Sequence, residues 1–66
     1  MTIGDPIDET GTLLRDGGGF VLRLDGGGRL RLELRRMPVD EVEKHVRLVG
    51  VLIGPDHVDV EGLRLA

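Results

Sequence analysis

Two stretches near the middle of the chain alternate apolar and polar residues with a period of two. In Phe20-Val21-Leu22-Arg23-Leu24-Asp25 the apolar set is 20, 22 and 24. In Arg29-Leu30-Arg31-Leu32-Glu33-Leu34-Arg35 it is 30, 32 and 34. Successive side chains of a strand point to opposite faces, so each stretch predicts a strand with one buried face. Gly26-Gly27-Gly28 separates them and marks a hairpin. A three-residue loop sets Asp25 opposite Arg29, Leu24 opposite Leu30, Leu22 opposite Leu32 and Phe20 opposite Leu34. A two-residue loop would set Leu24 against Arg29. The three-residue register is therefore expected, because a one-residue slip turns every side chain to the wrong face.

Asp16-Gly17-Gly18-Gly19 repeats this punctuation upstream. The same loop geometry brings in a first strand, about Thr10 to Arg15, with Leu14 opposite Leu22 and Thr12 opposite Leu24. That arrangement puts Leu13 and Val21 on the outer face. Residues 1–8, broken by Gly4, Asp5 and Pro6, read as a loose tail. Residues 9–66 read as one domain.

The pattern changes at Met37. Pro38 suits a first helical turn, Asp40 and Glu41 suit the positive end of a helix, and Val39, Val42 and Val46 share a stripe at i, i+3 and i+7. Valine is a mediocre helix former, so about two turns are expected. A continuous apolar run, Val46-Arg47-Leu48-Val49-Gly50-Val51-Leu52-Ile53, then predicts a fourth strand, either buried on both faces or bent with both faces used, the bend permitted by Gly50. Gly54-Pro55-Asp56 is a turn. His57-Val58-Asp59-Val60-Glu61 alternates again, and Gly62 marks a bulge or bend before Leu63-Arg64-Leu65. The expected fold class is all-β with one short helix: a small five-stranded OB-like barrel in the order β-β-β-α-β-β. Closure removes exposed edges. An SH3-like barrel is the alternative, and the position of Pro38 to Val46 favours the OB order.

The residues Gly11-Thr12-Leu13-Leu14-Arg15-Asp16-Gly17-Gly18-Gly19-Phe20, then a Leu-rich strand, then Val46-Arg47-Leu48-Val49-Gly50 and His57-Val58-Asp59-Val60, resemble a family of small bacterial OB-like proteins described only as a domain of unknown function. The resemblance spans about residues 9–66. It implies a barrel and a bacterial cytoplasmic setting, and it carries over no site residue.

Composition narrows the chemistry. The 66 residues contain no Cys, Trp or Tyr, and Phe20 is the lone aromatic. Disulfides and thiolate zinc sites are excluded. Ser, Asn and Gln are missing too, which removes serine nucleophiles and the amide side chains that read base edges. No apolar run approaches the length of a membrane span, and the first residues lack the basic and apolar regions of a signal peptide. A cytoplasmic protein is expected. A chain this short buries only about 60% of the surface that its unfolded form exposes.

The net charge of −3 hides a basic middle between acidic ends. Arg15, Arg23, Arg29, Arg31, Arg35 and Arg36 face only Asp16, Asp25 and Glu33 over residues 15–36. Arg23, Arg29, Arg31 and Arg35 are expected to share the outer face of strands two and three. That face of an OB-fold often takes oligonucleotides, and forked guanidinium groups suit phosphate and carboxylate. The bland reading is a solvated face, with Asp25 paired to Arg29. No aromatic lies among these arginines to stack a base.

The triple glycines lead into strands and no Gly-Lys-Ser/Thr follows, so they read as hairpin turns rather than a phosphate loop. His57, Asp59 and Glu61 alternate on one face and are possible divalent-metal ligands, but a wet charged strand face accounts for them as well. His45 reads as a helix-end cation. A small barrel filled by Leu and Val leaves little room for a catalytic pocket. The expectation is a non-enzymatic binding module without metal or cofactor, using Arg23, Arg29, Arg31 and Arg35. Its partner is unidentified, with an acidic protein surface or single-stranded nucleic acid as the candidates. Nucleic-acid binding by an OB domain is one alternative. A structural subunit acting through homo-oligomerisation is another, with Leu13 and Val21 as a candidate patch.

Overall fold

Alternating burial carries the chain into five strands, described for residues 2–66 in a computed structural model. They are β1 (Pro6–Asp16), β2 (Gly19–Leu24), β3 (Arg29–Glu33), β4 (His45–Gly54) and β5 (His57–Leu65). The sheet closes into a ring in the order β1-β2-β3-β5-β4. All neighbours are antiparallel except β3 and β5, which run parallel. The core is the inside of the ring. Ile7, Leu13, Phe20, Leu22, Leu30, Leu32, Val46, Leu48, Leu52, Val58 and Val60 meet there. Burying each such side chain contributes about 1.5–3 kcal/mol.

The strand β1 begins at Pro6, so Pro6, Ile7 and Asp8 belong to the barrel rather than to a tail. Thr2–Asp5 also lie against it: Gly4 N–H donates to the Leu52 carbonyl, and Leu52 N–H donates to that of Asp5. The long β1 serves two neighbours, pairing with β4 through Pro6–Thr12 and with β2 through Gly11–Asp16. At the crossover the chains approach so closely that a Cβ on Gly11 would run into the carbonyl oxygen of Arg23. The bend in β4 is of the same kind. Gly50 lies against the carbonyl of Asp59, beside a bulge where Val49 faces Gly62 and Gly50 faces Val60. Glu61 is the extra residue.

Both hairpin registers differ from expectation. Between β1 and β2 the turn is two residues long: Asp16 pairs with Gly19, and Gly17 takes the left-handed φ of 61° that a primed turn needs. Leu13 therefore faces Leu22 and is wholly buried, and Leu14 faces Val21 on the outer wall. The expectation that Leu13 lies outside is corrected, while Val21 is on the outer wall but covered. Between β2 and β3 the loop is wider than three residues. Phe20 faces Leu32, Leu22 faces Leu30 and Arg23 faces Arg29. This is a shift of two, which leaves every inward residue inward.

The expected two-turn helix is absent. Its place holds one 3₁₀ turn, Val39–Glu41. Val42 is already extended and Glu43 has a φ of 64°. Backbone hydrogen bonding decides this. Glu43 N–H donates to the Leu13 carbonyl, and Leu13 N–H donates to that of Lys44. These bonds to β1 replace the ones a helix would supply, and three β-branched valines do little to oppose the exchange.

Candidate partner-binding face

Outward positions of β1, β2 and β3 line up across the sheet. Thr12, Arg23 and Arg29 form one row, and Leu14, Val21 and Arg31 form the next, which continues to His57 on β5. Directly opposed residues share a face, so half-covered Leu14 and buried Val21 make an apolar floor beside three arginines. Arg23, Arg29 and Arg31 are all exposed. Among the described residues none of the three has a carboxylate at ion-pair distance. Arg23 and Arg29 stand directly opposite each other, a like-charge pair that costs a little and that an anion would relieve.

Arg35 is differently placed. It lies beyond the end of β3, separated from Arg31 by Glu33, and its Nη2 is 3.7 Å from Oδ2 of Asp59. The barrel thus brings Arg23, Arg29 and Arg31 together and directs Arg35 to a different partner.

The expected Asp25–Arg29 pair does not form. The wide β2–β3 loop turns Asp25 toward β1 and β4, where it accepts a hydrogen bond from Thr10 Oγ1 at 2.8 Å and meets His45 Nε2 at 2.7 Å. Bonding to His45, and then to Thr10, holds the Asp25 carboxyl below its ordinary value of 3.8. Arg29 is left without its neutralising neighbour. His45 opens β4 rather than ending a helix.

Some other charges are paired within the chain. Arg47 forks onto Asp8, Nε to Oδ1 at 2.8 Å and Nη2 to Oδ2 at 2.6 Å. That fork lowers the Asp8 carboxyl and raises the Arg47 guanidinium. On β5, His57 Nε2 lies 3.0 Å from Oε2 of Glu33, and Asp59 is taken by Arg35. His57, Asp59 and Glu61 therefore work as separate surface residues. Among the described residues no three of His, Asp or Glu gather around one point. No helix among them is long and apolar enough to cross a membrane.

Thr12 and Leu14 were expected to face inward because of the one-residue slip in β1, so their part in this face was missed, whereas Val21 was expected on the outer face. Gly17-Gly18 was the available signal, since a Gly-Gly pair closes a two-residue hairpin.

The model of a family described as "Protein of unknown function (DUF5818)" matches residues 10–66. The chain belongs to this family. No curated protein and no solved structure matches it. In this DUF5818 domain the match begins within β1, at Thr10, and takes in the arginine face and both glycine hairpins.

Proposed function

We propose that this domain is a non-enzymatic binding module of OB type, at work in the bacterial cytoplasm, that holds an acidic partner on the outer face of β2 and β3. One observation carries the reading: Arg23, Arg29 and Arg31 gather in adjacent rows of one face without carboxylate partners, whereas the other cations in no ion pair, Arg15, Arg36, Lys44 and Arg64, lie outside those rows. Unpaired guanidinium groups beside a partly covered apolar floor suit a carboxylate-bearing protein surface. Arg35 stands at the margin and adds charge only after releasing Asp59. The strand order, with β3 parallel to β5, supports the OB assignment.

That topology also favours a second reading, single-stranded nucleic acid on the same face. The missing aromatics weigh against it, because stacking contributes about 1–3 kcal/mol per base in single-strand binders.

The test is binding to polyglutamate at low ionic strength, with the double reversal R23E/R29E and, as control, R35E. The double reversal is expected to lower affinity at least about tenfold and the control to change it little. Equal binding by wild type and double reversal contradicts the assignment. An oligonucleotide that binds more tightly than polyglutamate, with a log–log salt slope near about −2 for three phosphate contacts, selects the second reading.

A further inference from the structure

The ring is closed on one side by a short seam. β5 pairs with β3 only through His57, Val58 and Asp59, because β3 ends at Glu33. From Val60 to Leu65, β5 has β4 along one edge and, among the described residues, no strand along the other. The connection from β3 to β4 passes this edge with a single 3₁₀ turn. An open groove of about 270 Å³ lies between the connection and the edge. Its apolar lining is buried Val60 with half-buried Leu34 and Leu63, so the barrel core comes to the surface here.

Charges of both signs line this groove without meeting. Arg36 and Glu41 on the connection and Glu61 on β5 all border it, and among the described residues none of the three is in an ion pair. Arg35, also on its margin, is held by Asp59. Glu61 is the extra residue of the bulge in β5, and a bulge re-aims a side chain. A small molecule carrying both charges on one carbon, with an apolar body, answers all of these groups. That is the chemistry of a free aliphatic α-amino acid. The Arg36 guanidinium offers forked donors to its carboxylate. Its ammonium has three N–H donors, which two carboxylates and one open carbonyl of the β5 edge accept. Its side chain leaves water on the apolar lining.

We propose that the groove between β5 and the β3–β4 connection binds a free aliphatic α-amino acid, with its carboxylate on Arg36, its ammonium between Glu41 and Glu61, and its side chain on Leu34 and Leu63. The arginine face of β2 and β3 takes no part, so this site stands or falls apart from the acidic partner proposed above.

An amide and methyl NMR titration of the full labelled chain with L-leucine tests this. Three analogues each remove one part: isocaproate the ammonium, leucinamide the carboxylate and glycine the side chain. Leucine is expected to give saturable shifts at Leu34, Glu41, Val60 and Leu63, and each analogue to bind at least about tenfold more weakly. R36Q should weaken leucine about tenfold while leaving leucinamide unchanged. E41Q/E61Q should weaken leucine without weakening isocaproate. The matched analogue makes each result specific, because a variant that only loosened the fold would weaken both ligands. R23E/R29E should bind leucine as wild type does. Absence of saturable shifts with leucine overturns the proposal. So does leucinamide or isocaproate binding as tightly as leucine, or an R36Q variant that binds leucine unchanged.

Discussion

Leu13 is wholly enclosed by the barrel, while Leu14 lies half-covered on the outer wall. The two test the β1–β2 register without any other change of chemistry. Leu13→Ala should cost about 2–5 kcal/mol, since it removes core contacts and leaves a cavity. Leu14→Ala should cost about 1 kcal/mol. Chemical denaturation of the two variants measures the difference, and a reversed order would mean that the sheet is slipped by one residue.

Charge pairs at the same scale set the acid response. Asp8 and Asp25 are held below their ordinary 3.8, Asp8 chiefly by its bond to Arg47 and Asp25 chiefly by its bond to His45. A lowered folded-state value stabilises the fold above the unfolded value, and that contribution is lost as pH falls through the folded one. Stability should therefore decline on acidification below about pH 4. Thermal melts of Asp8→Asn and Asp25→Asn should start lower and decline less over that window. An unchanged slope in both variants would show that neither pair forms.

At the scale of elements, β1 and β4 bend where glycine lets two backbones touch. Gly50→Ala would drive a Cβ into the Asp59 carbonyl beside the bulge. The cost should be on the order of 3 kcal/mol, read from denaturant midpoints. Gly50 and Gly62 were legible as places for a bend or bulge because a glycine inside an apolar strand gives up side-chain packing, which marks a kink or a close backbone approach. The two central strands were legible because period-two patterning is the strongest signal that a half-buried strand gives. Their exact pairing was not legible. A shift of two keeps Leu22 and Leu30 inward, so patterning alone does not distinguish the registers. The segment from Pro38 to Val46 misled for a different reason. Its acids and valine spacing fit a helix, but the hydrogen bonds that Glu43 and Lys44 make with Leu13 depend on where β1 runs, which local sequence does not contain.

Over the whole molecule, the ring sorts charge by wall. Ion pairs tie Asp8 to Arg47 on the β1–β4 wall and join Glu33 to His57 and Arg35 to Asp59 along the β3–β5 seam. The β2–β3 wall gives Arg23, Arg29 and Arg31 no such pair. Its three arginines were visible in the sequence as a basic stretch. Their lack of partners was not, because it depends on Asp25 turning away to Thr10 and His45. A protein with a net charge of −3 thus carries a locally basic patch on this wall, and the proposed acidic partner would meet favourable charge there.

An amide NMR titration of the isotope-labelled chain tests that surface most directly. Polyglutamate would be added first and a short single-stranded oligonucleotide second, at low and then moderate salt. The account predicts salt-sensitive shifts concentrated at Thr12, Leu14, Val21, Arg23, Arg29 and Arg31, with the Asp8–Arg47 wall silent. No shifts with either probe at low salt, or shifts centred on that silent wall, would contradict it.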